Sequence, residues 1–236
     1  GQLAALRGIA LDEGGGLRIG ALTLHAEVAA SRVVRERFPM LASMAARVAN
    51  PQVRNQGTIG GNLCYADPST DPPGCLLALN AQVVLASARG ERVLALSDFL
   101  VDYYTTALDA DELLSEIRVP AMPSDASGQY ARFLRTAAEH RPLVSVAFVA
   151  RRQGAVCTEA RIAVGASTPI PVRLPRAEAY LAGKTLTVDV AAEAADIVAA
   201  DIEPVSDARG DAAFRRDMVR VVARRNIAGL FGLPQE

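Results

Sequence analysis

The sequence of 236 residues has few of the residue types from which metal sites and disulfide frameworks are built. It contains three cysteines, none of them in a CxxC spacing, and two histidines that lie far from them along the chain. Zinc sites and disulfide-rich scaffolds need several such residues at close, regular spacings. We therefore expect no disulfide framework and no protein-bound metal in this chain.

Long apolar segments and an excess of charge of one sign are also absent. No apolar run of about 18 or more residues and no charged-then-apolar leader occurs, so neither a membrane-spanning helix nor a signal peptide is predicted. The 25 basic and 26 acidic residues give a net charge of −1, without the basic runs typical of proteins that bind nucleic acid or membrane surfaces. We expect a cytoplasmic protein with no nucleic-acid or membrane partner.

Helix and strand patterns alternate through the first half of the chain. Residues 17–21 form a strand-like run, and a helix follows for which Thr23 is the predicted N-cap. Pro39 begins a segment, 39–49, whose apolar residues recur at helical spacing. The run 82–87 predicts a further strand, closed by an Arg-Gly turn.

The second half predicts a separate unit. The proline-, serine- and glycine-rich stretch "VPAMPSDASGQ" marks a break, and three strand-like runs follow it: "QYARFLRT", "LVSVAFVARR" and "CTEARIAVGAS". Three amphipathic helical patterns close the chain. We therefore predict an α+β protein with domains at 1–122 and 128–233, the second an antiparallel sheet plus helical bundle.

The stretch "QVRNQGTIGGNLCYADPSTDPPG" is the glycine-rich segment of most interest. Glycines such as Gly60 and Gly61 remove side chains where a ligand must approach the backbone, and Thr58 and Asn62 add hydrogen-bonding groups, so a phosphate or pyrophosphate would fit there. The pattern lacks the Lys-Ser/Thr of a P-loop and does not open a βαβ unit. A plain tight turn explains the same glycines, so both interpretations stay open on the residues alone.

Longer stretches resemble the flavoprotein (medium) subunit of the molybdenum hydroxylases, the family of carbon monoxide dehydrogenase, xanthine dehydrogenase and aldehyde oxidoreductase. The matching stretches of the first half are "VRNQGTIGGNL", "DPSTDPPGCLLALNAQVVL" and "DELLSEIRVP". Those of the second half are "YARFLRTAAEHRPLVSVA", "IAVGASTPIPVRLPRAEAYLAG" and "DARGDAAFRRDMVRVVARRNI". The resemblance implies the second subdomain of a PCMH-type FAD-binding domain followed by a CO-dehydrogenase-flavoprotein-type C-terminal domain.

One part of the family pattern has no match in this sequence. In the family, a first subdomain carries an "AGGT"-like loop that grips the FAD pyrophosphate, and nothing similar precedes the glycine-rich segment here. The resemblance therefore implies an FAD-binding domain without its first subdomain, whether that part is missing from this chain, cleaved or carried elsewhere. We expect this chain alone to bind FAD weakly or not at all.

The resemblance also implies which residues of the glycine-rich segment contact the cofactor. Thr58, Ile59, Gly60, Gly61 and Asn62 match the motif that closes over the flavin's phosphates and ribityl chain through backbone amides and short polar side chains. On this interpretation, the two adjacent glycines let cofactor oxygens approach the backbone more closely than a β-carbon permits.

Three further positions match family residues near the flavin, and each has a structural alternative. Asp71 matches an acidic position that hydrogen-bonds the cofactor, and it is also a candidate N-cap before two prolines. Leu114 matches an aliphatic residue near the flavin, or is simply a buried strand residue. Arg132 stands where the family commonly has Lys and could stabilise the negative charge of reduced flavin, or is an exposed strand arginine.

The two histidines, and Cys64 within the glycine-rich segment, have structural explanations. We interpret Cys64 as a small buried thiol rather than a redox centre. His140 is expected in a surface turn, and His25 is expected in a helix turn.

The resemblance implies an oxidoreductase subunit that carries FAD and transfers electrons. In the family, a molybdenum-bearing large subunit hydroxylates the substrate, and [2Fe–2S] clusters of a small subunit pass electrons to this subunit's FAD, which delivers them to NAD, a quinone or oxygen. The flavin performs the redox chemistry, so no catalytic residue is assigned to this chain. The alternatives are a non-catalytic scaffold or assembly subunit that has lost FAD binding, and a stand-alone nucleotide-binding module.

Overall fold

The computed structural model describes residues 3–234, which form a mixed α+β fold. The first half is built on a five-stranded antiparallel sheet in the order β1-β2-β7-β3-β4. Its strands are β1 (Ile9–Leu11), β2 (Leu17–Gly20), β3 (Gln82–Ser87), β4 (Gly90–Ala95) and β7 (Leu113–Val119). A short ribbon of β5 (Leu100–Asp102) and β6 (Thr105–Thr106) stands beside it.

Seven short helices occur in this half, most of them between β2 and β3. They are α1 (His25–Ala30), α2 (Arg32–Arg37), α3 (Pro39–Ala45), α4 (Pro51–Arg54), α5 (Ile59–Tyr65), α6 (Pro72–Ala78) and α7 (Leu96–Phe99), and a 3₁₀ turn lies at Ala4–Leu6. Prolines at the first positions of α3, α4 and α6 explain why these helices begin where they do, since proline suits the first turn and no later one.

The second half is a four-stranded antiparallel sheet, ordered β11-β10-β9-β8, with three helices. Its strands are β8 (Ala126–Phe133), β9 (Val144–Gln153), β10 (Val156–Gly165) and β11 (Val172–Arg173), and its helices are α8 (Pro175–Leu181), α9 (Val188–Asp201) and α10 (Ala212–Leu230). The helices α9 and α10 pack on each other, and α10 also covers β8 and β9. This arrangement agrees with the predicted antiparallel sheet and helices.

Both faces of this second sheet are buried, because the first half covers the face that the C-terminal helices leave free. Alternate residues of β9 divide between two cores, as the two-residue period of a strand requires. Val146 and Phe148 pack in the core with α8, α9 and α10, whereas Ala147 and Val149 join the core of the first half. The helix α6 lies against β9 and β10 on that side. The two halves therefore share a hydrophobic core.

Two elements begin at residues other than those predicted, because contacts between residues distant in sequence determine their boundaries. The strand predicted at 82–87 matches β3, but α1 begins at His25 because the Thr23 hydroxyl donates to Gly8 O instead of capping the helix. The strand β8 begins at Ala126, inside the segment expected to be a linker. Its residues 126–133 pair antiparallel with residues 151–144 of β9.

Limited proteolysis is expected to cut first between residues 120 and 125, the exposed segment that joins β7 and β8. We propose 1–122 and 128–233 as the two domains on this basis. The two products should remain associated on gel filtration, because they share a core. Cleavage confined to the interior of either half, or products that separate without denaturant, would contradict this organisation.

A fully buried arginine joins α10 to the ends of the second sheet. Arg215 Nη1 donates to Leu143 O at 3.2 Å and to Ala166 O at 2.8 Å, and Nε donates to Gly210 O at 3.3 Å. Its Nη2 forms an ion pair with Asp207 Oδ1 at 2.6 Å. These contacts fix the positions where the chain enters β9 and leaves β10.

Candidate functional site

A cavity of about 380 Å³ lies where the helices of the first half meet the loop between β8 and β9. One wall, from α1 to the start of α5, is formed by His25, Val48, Ala49, Val53, Gly57 and Thr58. The floor along α5 is formed by Gly61, Asn62 and Tyr65. The far wall is formed by Asp67, Ser69, Thr70, Asp71, His140 and Arg141. A cavity of this volume, apolar at one end and polar at the other, is typical of a small-molecule or cofactor site.

The glycine-rich segment forms a helix start, not an open nest of amides. Thr58 is the N-cap of α5, and its Oγ1 accepts from Gly61 N at 3.0 Å. The amides of Ile59 and Gly60 donate to Thr23 O and Ala21 O at 2.9 Å, and Asn62 N donates to Thr58 O. We expected backbone amides of this segment to hold a ligand, but these four are occupied within the protein. These four amides are therefore not available to a ligand.

The two adjacent glycines have different neighbours. A β-carbon on Gly60 would lie 2.5 Å from Ala21 Cβ and 2.7 Å from Ala21 O, so this glycine is required by packing against the chain after β2. A β-carbon on Gly61 would meet only Thr58 Oγ1, at 2.8 Å, and Gly61 lines the cavity. The expectation that both glycines serve a ligand is wrong for Gly60, whose missing side chain faces protein backbone.

Gly60→Ala and Gly61→Ala are expected to separate these roles. Gly60→Ala should lower the free energy of unfolding by about 2–3 kcal/mol, because the new methyl group overlaps backbone atoms that cannot move aside. Gly61→Ala should cost about 1 kcal/mol, since it disturbs only the Thr58 cap. Chemical denaturation without added ligand measures both. Equal losses, or a larger loss for Gly61→Ala, would contradict the assignment.

Asp71 lies in the far wall and is 2% exposed. It occupies the N-cap position before α6, but its side chain makes no capping hydrogen bond. Its Oδ1 instead accepts from Tyr130 OH at 2.7 Å, and Arg132 Nη1 donates to both carboxylate oxygens, at 3.0 and 3.2 Å. Burial raises the pKa of the Asp71 carboxyl, and Arg132 and Tyr130 oppose that rise. The N-cap alternative is thus replaced by a buried polar network.

The structure brings only some of the expected contact residues to the cavity. Thr58, Gly61, Asn62 and Asp71 line it. Four others do not: Ile59 and Gly60 face the core, Leu114 is a buried residue of β7, and Arg132 reaches the cavity only through Asp71. Leu114 is thus a buried strand residue, the structural alternative given for it. Arg132 is a partly buried partner of the Asp71 carboxylate and not an exposed strand arginine.

Other cavity residues were not recognised from the sequence as part of a site. Arg141 pairs with the buried carboxylate of Asp67, and the Arg141 and Pro142 carbonyls accept from the Arg209 guanidinium. This loop was expected to be a plain surface turn at His140. No local pattern reveals its place in the site, because the contacts join residues that are some 70 positions apart.

Asn62 and Tyr65 present further groups from α5. Asn62 Oδ1 accepts from the Thr70 hydroxyl at 3.2 Å, which directs the amide nitrogen elsewhere. The Tyr65 ring is largely exposed at the mouth and meets the Tyr104 ring edge-on, with centroids 5.2 Å apart. Cys64, on the same helix, is half-buried, and burial raises the pKa of its thiol, as suits the structural interpretation.

His25 is the first residue of α1 and is 2% exposed. Its Nδ1 is buried and has no hydrogen-bond partner among the described residues. Burial lowers the pKa of the His25 imidazole from 6.5 to about 4, so the ring is neutral at pH 7. The sequence predicted an ordinary helix-turn histidine, whereas the structure places an uncharged ring in the cavity wall.

The depressed pKa of His25 predicts a pH dependence of stability. Between pH 6.5 and about 4 the unfolded chain binds the proton that the folded chain refuses, so this histidine's contribution to stability is lost as the pH falls through that range. The slope from one such proton is at most about 1.4 kcal/mol per pH unit. Denaturation of the parent and of His25→Phe across this range measures it. If both proteins gave the same slope, the assignment would be contradicted.

Within residues 3–234, no group of three or more His, Cys, Asp or Glu side chains is arranged to hold a metal ion. None of the described helices is both long enough and apolar enough to cross a membrane.

Comparison with known proteins assigns both halves. Residues 1–122 match the family described as the FAD binding domain in molybdopterin dehydrogenase, and residues 129–230 match the CO dehydrogenase flavoprotein C-terminal domain. The chain belongs to the FAD-binding medium subunits of the molybdenum hydroxylases. The α+β fold and the family expected from the sequence are thereby confirmed.

Individual relatives agree with this membership. The carbon monoxide dehydrogenase medium chain of Hydrogenophaga pseudoflava is 34% identical over 224 residues, which are 95% of this chain and 77% of that protein. The putative xanthine dehydrogenase FAD-binding subunit of Escherichia coli (strain K12) is 28% identical over 228 residues, 96% of this chain and 78% of that one.

Solved structures give the same assignment. A carbon monoxide dehydrogenase from Hydrogenophaga pseudoflava, which lacks the Mo-pyranopterin moiety of its cofactor, superposes with a TM-score of 0.93 at 35% identity, covering 98% of this chain and 80% of that one. Quinoline 2-oxidoreductase from Pseudomonas putida 86 gives a TM-score of 0.91 at 30% identity, covering 97% and 79%. This medium subunit is therefore an oxidoreductase component whose family cofactor is FAD.

Proposed function

We propose that this medium subunit carries FAD in the cavity described above and transfers electrons through it. The observation that carries the proposal is convergence. Thr58, Gly61 and Asn62 at the start of α5 and Asp71 at the start of α6 meet at one cavity, and Arg141 reaches it from the loop between β8 and β9. A purely structural turn at the start of α5 would not require polar side chains from α6 and a distant loop to face it.

The side chains in the cavity suit different parts of a dinucleotide. The Asp71 carboxylate can accept from ribityl or ribose hydroxyl groups, since its two oxygens have acceptor capacity beyond Tyr130 and Arg132. The amide nitrogen of Asn62 can donate to an oxygen of the cofactor. Arg141 is paired with Asp67 through Nη2, and its other N–H groups can donate to a pyrophosphate oxygen. The apolar side chains of Val48 and Val53 suit an aromatic ring.

The orphan nitrogen of His25 supports the fit of a ligand. A buried polar atom without a partner costs free energy, and such atoms in folded proteins are usually satisfied by a group that completes the site. The cavity also opens to solvent past Tyr65, so a cofactor longer than the cavity can extend out of it.

The partners follow from the family. We propose a molybdenum-containing large subunit and a small subunit with [2Fe–2S] clusters, from which electrons reach this chain and then leave to NAD, a quinone or oxygen. When bound, FAD supplies the redox chemistry that links one-electron donors to a two-electron acceptor. The chain's own part is to bind and orient the cofactor. Its three cysteines are free and widely spaced, which accords with clusters held by a partner.

The proposal is tested by the flavin content of the subunit purified with its partners, and by bleaching of the flavin absorbance when the holoenzyme's substrate is added without oxygen. Asn62→Ala should lower the flavin content several-fold, because it removes a cofactor contact. Asn55→Ala is the matched control, since Asn55 is exposed nearby and does not line the cavity.

Three results would contradict the proposal in whole or in part. A colourless subunit that still binds both partners would show a scaffold subunit without FAD. Binding of adenine nucleotides without any flavin would show a nucleotide-binding module. Flavin present but never reduced by the holoenzyme's substrate would remove the electron-transfer role while leaving the FAD site in place.

A further inference from the structure

One wall of the cavity contains a polar group to which neither the sequence nor the family resemblance assigns a role. His25 begins α1, and its backbone amide donates to Gly57 O at 3.1 Å, which ties the helix to the turn before α5. The imidazole lines the cavity and is almost wholly buried, yet no side chain or carbonyl of the described residues pairs with its Nδ1. Its burial therefore leaves a hydrogen bond to be made by something outside the chain.

The neighbouring glycine keeps space for this ring. A β-carbon on Gly57 would lie 3.3 Å from His25 Cδ2, 3.7 Å from Nε2 and 3.0 Å from Val53 O. Any larger residue at position 57 would press the imidazole out of its position or close that end of the cavity. Gly57 thus lets the imidazole pack closely beside the turn before α5, in the wall of the cavity.

The surroundings of the ring decide what kind of group it contacts. The adjacent wall is formed by Val48, Ala49 and Val53, and no carboxylate is bonded to the imidazole. A neutral imidazole offers one donor and one acceptor. It therefore matches a group that both donates and accepts, such as a hydroxyl, or the edge of a nitrogen heterocycle, better than it matches a phosphate, which favours a cation.

We propose that His25 positions the bound FAD by a hydrogen bond to an uncharged polar group, a sugar hydroxyl or a ring nitrogen, at the apolar end of the cavity. This inference rests on the proposed FAD site. The charged end, with Arg141 and Asp71, is left for the rest of the cofactor. His25 is a positioning residue and takes no part in electron transfer.

The test compares His25→Phe and His25→Gln with the unaltered subunit, each in complex with its partners and freed of flavin, in titrations with FAD, AMP and riboflavin followed by calorimetry. His25→Phe keeps the ring volume without the nitrogens, and should weaken FAD binding about tenfold, as expected for one lost hydrogen bond. His25→Gln should recover part of that loss. Denaturation at pH 7 without ligand should show that His25→Phe is as stable as the parent, because no protein partner is lost.

The two cofactor fragments locate the contact. A loss of affinity confined to AMP assigns His25 to the adenosine part, and a loss confined to riboflavin assigns it to the flavin and ribityl part. Binding of FAD by His25→Phe within twofold of the parent overturns the inference, while FAD binding by the parent itself keeps the proposed function. Absence of FAD binding by the parent in complex with its partners overturns both.

A measurement on the unaltered protein applies if the variants do not fold. The ring nitrogen resonances of His25, observed by ¹⁵N NMR, should move on addition of FAD, because Nδ1 gains a partner. They should not move on addition of inorganic pyrophosphate. Resonances that stay unchanged with FAD bound would overturn the inference.

Discussion

Replacing Arg215 with methionine is expected to lower the free energy of unfolding by about 3 kcal/mol, because buried hydrogen bonds from a charged group are lost. Arg215 is fully buried, and its loss leaves the carbonyl of Ala166 without its donor, whereas Leu143 O and Gly210 O keep Ser167 Oγ and Asp207 N as donors. Methionine fills much of the same volume, so the loss would report the polar contacts and not a cavity. Chemical denaturation of the ligand-free protein measures it.

Arg220→Met is the matched control on the same helix. Arg220 is partly exposed and pairs only with Asp196 and Asp217 at the surface, so its replacement should cost less than about 1 kcal/mol. If the two variants lost equal stability, the buried arginine would not have the role that its contacts indicate. The Arg215 variant should also lose flavin, because the strand ends that it fixes lead into the loop of Arg141.

Asp71→Asn is expected to lower stability by about 3 kcal/mol and to weaken FAD binding at least tenfold. The amide still accepts from Tyr130, but Arg132, whose side chain is 13% exposed, loses its counter-charge. The weaker binding has a separate cause in the proposed FAD site, where the amide replaces a carboxylate oxygen that would accept from cofactor hydroxyls. Denaturation and FAD titration on the same variant measure the two effects.

The double variant Asp71→Asn/Arg132→Met distinguishes these causes. Removing both charges of a buried pair is often close to neutral, so most of the lost stability should return. The FAD affinity should stay low, because the carboxylate is still absent. Recovery of affinity together with stability would show that Asp71 only organises the protein, and that the cofactor does not contact it.

Much of the fold follows from the sequence, because local patterns determine it. The apolar run of β3 and the proline that begins α3 are visible in single segments. The boundaries that shifted depend on partners distant in sequence. Thr23 bonds to Gly8 and not to its own helix, and Ala126 joins β8 because β9 offers a paired edge. The local secondary-structure propensities of Thr23 and Ala126 carry no information about these distant partners.

The residues that line the cavity were predictable only where a motif contains them. Thr58, Asn62 and Asp71, which the resemblance placed near the cofactor, line the cavity, and their contact with FAD stays a prediction. Gly60 matched the same motif, yet its glycine is required by Ala21, a contact that no spacing reveals. The position of His25 in the cavity wall was not predicted, because a single histidine in a helical segment gives no sign of a cavity beside it.

The most direct test of the account is an experimental structure of the FAD-loaded subunit in complex with its partners. The account predicts density for the dinucleotide in the cavity, with cofactor atoms within about 3 Å of the side chains of Thr58, Asn62 and Asp71. Flavin bound at another place on the subunit, with this cavity filled by water alone, would contradict the account.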